Sequence, residues 1–156
     1  MHIGIDGINL RERNAGSLRY FELLLGALDQ PEAPGHWRYE VFTPQPVYQA
    51  IARPRAGNFN LVPTTPRRFI PAALQQQFYR GWNSAGNLDL LHSTVFVPPL
   101  GYAGKTVMTV FDLTFFLFPQ TQKWSGRWWW RLFARPGFRK ADHIISISEN
   151  TRQELQ

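Results

Sequence analysis

Apolar residues along this chain recur in two rhythms. Short runs without strict alternation lie at His2-Ile3-Gly4-Ile5-Asp6, Tyr39-Glu40-Val41-Phe42-Thr43, Leu88-Asp89-Leu90-Leu91-His92, Thr106 to Val110 and Asp142 to Ser148. Such runs read as strands covered on both faces, as in a parallel sheet. Phe59 to Thr64 is a weaker strand. Between the strands the spacing turns helical. Leu18, Phe21, Leu24, Leu25 and Leu28 form one face of a first helix that follows the polar loop Gly7 to Gly16, with Ser17 as its N-cap. A short helix is expected over Val47 to Ala52, and a longer one over Ala72 to Ser84 with Leu74, Phe78 and Trp82 on one face. Ser148 suits the N-cap of the last helix and Glu149 its first turn. The order predicts an α/β fold: a Rossmann-like parallel sheet with helices on both faces, one domain over residues 1–156.

Composition narrows the class. With 156 residues and 44% hydrophobic content the chain can bury a real core, and disorder is disfavoured. The absence of cysteine excludes disulfides and thiolate metal sites. MHIGIDG is read as strand and turn without a leader, and no apolar run reaches the ~20 residues that span a bilayer. The expected location is therefore the cytoplasm. Lys123, Arg127, Arg131, Arg135, Arg139 and Lys140 have no acid among them and match the whole formal net charge of +6. A basic excess confined to one segment does not indicate a nucleic-acid footprint.

Sites of parallel α/β sheets lie beyond the carboxyl ends of the strands, so candidate chemistry is sought there. Gly16, with Ser17 beside it, could let backbone amides approach a phosphate or sugar, or could simply make the turn. No G-x-G-x-x-G is present, which disfavours a dinucleotide-binding dehydrogenase. His92 and Ser93 stand where a strand meets its loop; a ligand contact and a hydrogen-bonded structural histidine both fit. No second ligand stands at useful spacing, so no metal site is expected. Asp112 follows the fifth strand, as a sugar-binding carboxylate, as the cap of the next turn or as the partner of an arginine. Arg67 and Arg68 are either solvated or meet an anionic acceptor. Lys123, Arg127, Arg131 and Arg135 form an i, i+4 stripe beside Trp124, Trp128 and Leu132. That helix covers the sheet, docks on anionic lipid, or does both, and Pro136-Gly137 should break or kink it before Phe138.

Four segments in order, GIDGINLRERNAGSLRYFELLLGAL, DLLHSTVFVPPL, GKTVMTVFDLTFFLFPQ and RKADHIISISENTRQELQ, resemble the N-terminal half of a family-4, GT-B-fold, retaining glycosyltransferase. The resemblance implies the acceptor-side domain of a hexosyltransferase acting without metal or resident cofactor. The nucleotide sugar would be its co-substrate, held by a C-terminal domain not found in these residues, and this chain alone would not turn over. A lipid-linked, lipopolysaccharide or polysaccharide acceptor is implied, with mannose among the sugars, at the inner face of the cell membrane. By position, Gly16 matches the glycine that approaches the donor phosphates, and Arg19 and Tyr20 match the residues that follow it. His92 and Ser93 match the acceptor loop, Asp112 the aspartate of V-H-D-L, and Ser148-Glu149 the S-E start of the last helix. Two positions depart from the pattern. Leu18 replaces a frequent second glycine, and Phe111 replaces the usual histidine, whose hydrogen bond a phenyl ring cannot make. A non-catalytic glycan- or nucleotide-binding module is the alternative reading.

Overall fold

The structure, a computed structural model, describes residues 1–11, 15–30, 36–51, 57–65, 67–70, 74–84, 88–94, 97–121, 128 and 130–156. Six strands form one parallel sheet: β1 (His2–Asp6), β2 (Arg38–Pro44), β3 (Phe59–Thr64), β4 (Leu90–Ser93), β5 (Lys105–Val110) and β6 (His143–Ser146). Their order is β3-β2-β1-β4-β5-β6, so the winding reverses between β1 and β4. The helices are α1 (Ala15–Leu28), α2 (Gln45–Ala50), α3 (Gly81–Ser84), α4 (Thr114–Leu117), α5 (Arg135–Lys140) and α6 (Glu149–Glu154).

Register explains how the two faces are filled. Ile3 lies beside Tyr39 and Ile5 beside Val41, all buried, and α1 presses Phe21 and Leu25 onto them. Val47 and Ile51, from α2 and its end, complete this first core. Burial of Phe21 or Leu25 is worth about 1.5–3 kcal/mol each. Residues of the opposite parity point to the second face. There Phe42 and Leu91 pack with Trp82 and Tyr102, while Met108 and Val110 pack with Ala134 below α5. Helices thus cover both faces, as the unbroken apolar runs predict.

Three local expectations are corrected. Helix α1 begins at Ala15, so Ser17 lies inside the first turn and is not its N-cap. Of the expected helix over Ala72 to Ser84, Ala72 and Ala73 lie outside the described residues, and 74–84 form a chain of turns with one helical turn, α3. Its glutamines explain the change. Gln75 bonds the backbone of Arg67 and Ile70, and Gln76 bonds Asn9, Ser93 and Val97, so both amides point inward. Such side-chain bonds compete with a regular helix. Phe78 is then left half exposed, away from the expected apolar face. Finally, of the break or kink expected at Pro136-Gly137, the break does not occur. A π-helical stretch, Trp130–Ala134, leads into α5, whose first turn accommodates Pro136. Gly137 is needed because a Cβ there would stand 2.5 Å from the Val97 Cβ.

Candidate functional site

Parallel strands bring their carboxyl ends to one rim. Asp6 and Gly7 follow β1, Ser93 and Thr94 end β4, Phe111 and Asp112 follow β5, and Ile147 and Ser148 follow β6. Helix α1 starts at this rim, above the β1–β4 reversal where ligands of such sheets bind.

On the first face, α1 is tied to β5 and β4 by one short relay. Tyr20 Oη lies 2.9 Å from Thr109 Oγ1, which lies 2.9 Å from His92 Nε2. His92 is buried, and burial lowers its pKa to about 4, leaving a neutral ring. The relay can run in either direction according to the imidazole tautomer. The Tyr20 ring also meets Phe111 edge-on, with centroids 5.2 Å apart. Gly16, one turn before Tyr20, has nothing among the described residues beyond its own helix backbone and chain neighbours within 4 Å of where a Cβ would stand.

On the second face a buried polar cluster occupies the reversal. Asp6 is 4% exposed, and burial raises its carboxyl to about 7, against the opposing pull of the Ile8 N–H and the Gln76 amide. Its Oδ1 accepts the Ile8 N–H at 3.0 Å. Gln76 accepts from Asn9 at 3.0 Å and donates to Val97 O at 3.0 Å and to Ser93 Oγ at 3.3 Å. Thr94 donates its hydroxyl to Asp6 O at 2.7 Å. Asn9 Oδ1 is buried without a partner among the described residues.

The residues singled out from sequence are distributed around this rim. Gly16, Ser17, Arg19 and Tyr20 share the opening turns of α1, and Arg19 reaches Glu22 at 3.9 Å on the surface. His92 and Ser93 are buried on opposite faces of β4, so they do not form one contact surface. Asp112 is exposed and its Oδ1 accepts the Thr114 N–H at 2.9 Å, capping the turn into α4. Ser148 caps α6 by accepting the Thr151 N–H at 3.1 Å, and Thr151 donates to Phe111 O at 3.1 Å. Glu149 is engaged by Arg152 through two nitrogens, at 2.8 and 2.6 Å, which holds its carboxyl below the usual range. Lys123 and Arg127 lie outside the described residues, as does the side chain of Arg131; Arg135 is exposed at the start of α5.

Asp6, Asn9, Gln76 and Thr109 were not singled out from sequence. For Asp6 the signal was present: an acid closing an apolar strand is the same pattern that marks Asp112. For Gln76 there was none, because a polar residue between Leu74 and Phe78 reads as a wet helix side. A cavity of about 770 Å³ lies at the other end of the sheet, where His2, Arg38 and Glu40 meet Asn58 and Asn60. It is remote from the rim. Among the described residues no three metal-ligating side chains converge and no helix is long and apolar enough to cross a membrane.

Fold and rim together define the class, a six-stranded, all-parallel, Rossmann-like α/β domain. No protein-family model, curated protein or solved structure gives a significant match to the chain.

Proposed function

We propose that this chain is the acceptor-side wall of a retaining glycosyltransferase, moving a hexose from a nucleotide sugar to a lipid-linked, lipopolysaccharide or polysaccharide acceptor. The reading starts from the four-segment resemblance to family-4 enzymes. The observation that carries it is the Tyr20–Phe111 contact, 5.2 Å between centroids, which sets the glycine turn of α1 beside the segment of Asp112 at one rim. Gly16 leaves open space there for a phosphate to approach amides at the positive end of a 14-residue helix. Asp112 keeps Oδ2 for a sugar hydroxyl while Oδ1 caps its turn.

Sugar transfer needs donor and acceptor aligned and the leaving diphosphate stabilised. One sheet gives one wall, so the reading calls for a second, donor-holding domain. Its test is sugar transfer by the chain joined to that domain, with a panel of nucleotide sugars. Turnover that falls on Asp112→Asn is expected; a folded two-domain protein inert to the whole panel would contradict the reading. A second reading, a non-catalytic binding module, is favoured by Phe111, which fills a histidine's place and is engaged with Tyr20. Under it, Phe111→His brings a large gain in transfer; under the first, no gain.

A further inference from the structure

The sequence offers Arg67 and Arg68 as a basic pair, but the structure sets Arg67 with Arg80 instead. Both line a cavity of about 260 Å³ beyond the end of β3, together with Thr64, Thr65, Phe78 and Tyr79. A second hollow of about 290 Å³ shares Arg67, Phe78, Tyr79 and Arg80 and continues to Trp82 and Tyr102. Two cations and two rings therefore form a common wall. Hydroxyls of Thr64 and Thr65 belong to one compartment and further aromatic rings to the other. Among the described residues no acid lines either compartment and neither guanidinium has a carboxylate partner. Glu40, whose field reaches Tyr79, is engaged by His2 at 3.4 Å.

The cations are held in place through the backbone. Gln75, 7% exposed, accepts the Arg67 N–H at 2.8 Å and donates to Arg67 O at 2.9 Å and to Ile70 O. A buried amide thus fixes the Arg67 backbone from both sides and leaves its guanidinium free. On the other wall, Trp82 donates to Gln76 O at 2.9 Å, and a Cβ at Gly81 would fall 2.3 Å from the Tyr79 ring. That close approach fixes the backbone next to Arg80. Holding cations in position before a ligand arrives lowers the ordering cost of binding.

We propose that this cavity is a subsite for a phosphate or diphosphate ester, its anion held between Arg67 and Arg80 and its apolar group in the adjoining aromatic hollow. Two guanidiniums facing one space of this size match a multiply charged anion with several acceptor oxygens better than a lone carboxylate. The aromatic hollow next to it is the feature an inorganic anion would not use. The inference deepens the acceptor-side reading and rests on it for the ligand's role in transfer.

Calorimetric titration of the chain with geranyl diphosphate, inorganic pyrophosphate and geraniol tests it, alongside sedimentation with phosphatidylglycerol and phosphatidylcholine vesicles. Geranyl diphosphate should bind tightest, pyrophosphate more weakly, and geraniol not measurably. Arg67→Gln and Arg80→Gln should each weaken diphosphate binding about tenfold or more. The pair Arg38→Gln with Arg139→Gln removes as much charge elsewhere and should change it less than about twofold. Among the described residues neither cavity arginine has a side-chain partner to lose, so melting temperatures should be unchanged. If anionic vesicles also bind, dependent on Arg67 and Arg80, the ester is a lipid headgroup; diphosphate binding without vesicle binding makes it a free ester. Failure to bind either diphosphate, vesicle binding alone, or an equal loss in the Arg38/Arg139 control overturns the subsite. The transfer assay is independent of that result, because it reads the rim of α1 and Asp112.

Discussion

At the scale of single residues, Asp6 and His92 titrate against each other. The Asp6 carboxyl ionises near 7 in the fold and near 3.8 when unfolded, because burial penalises the charged form. The folded state keeps the extra proton between those values. Stability from Asp6 is complete below about 3.8 and is lost as pH rises through 7. His92 has the opposite sign. Its ring ionises near 4 in the fold and near 6.5 unfolded, so its contribution is complete above 6.5 and is lost as pH falls through 4. Over their shared window the two slopes offset. Asp6→Asn should uncover a stability that rises with pH between 4 and 6.5, by at most about 1.4 kcal/mol per unit. His92→Gln should uncover one that falls. Urea midpoints measured across that range decide it, and two variants that both track the parent would refute the assignment.

At the scale of elements, the seating of α1 depends on two glycines in different ways. A Cβ at Gly7 would stand 2.8 Å from the Phe21 ring and 2.9 Å from a Leu10 methyl, so the loop leaving β1 fits under the helix only without one. Gly7→Ala should cost about 1–3 kcal/mol by overpacking. Gly16 meets nothing, and Gly16→Ala should stabilise the helix by up to about 1 kcal/mol. Unfolding curves of the two variants should therefore move in opposite directions. On the proposed glycosyltransferase reading, Gly16→Ala should still lower transfer by the chain joined to a donor-holding domain about tenfold, because the added methyl would occupy the space proposed for the donor phosphate. Transfer at the parent rate would remove Gly16 from the site.

Elements were legible where one principle acted alone. The bounds of β1 and β3 follow directly from apolar runs closed by turn-forming residues, and Ser148 caps α6 as its residue type suggests. Residues 74–84 were not legible. Leu74, Phe78 and Trp82 have perfect helical spacing, yet the inward amides of Gln75 and Gln76 hold the chain in turns. A glutamine gives no sequence sign of which backbone group it will find. The π-helical stretch before Pro136 is equally silent, since the proline reads as a break until one more residue per turn is allowed for.

At the scale of the molecule, the fold class was legible and the site only half so. Strands covered on both faces could be recognised from composition, and the rim follows from parallel pairing. Which residues share a face depends on register, which the pattern alone did not fix. Register is what separates His92 from Ser93 and joins Asp6 to Ser93 across β1 and β4. The turn after β1 places Asp6 one hydrogen bond behind Ile8, a residue of the cavity that Arg67 and Arg80 line. While Asp6 keeps its proton, it adds no charge behind that cavity's wall. Above pH 7 a buried negative charge stands behind Ile8, and anions should be held less firmly. Comparing diphosphate affinity in the parent and in Asp6→Asn between pH 6 and 8, both about one unit from the Asp6 midpoint, isolates this term from the ligand's own ionisation. A relative weakening confined to the parent is the expected result; identical pH profiles would mean that the carboxyl is too well shielded to be felt. Proton occupancy at one hidden acid would then govern how strongly the outer wall grips its guest.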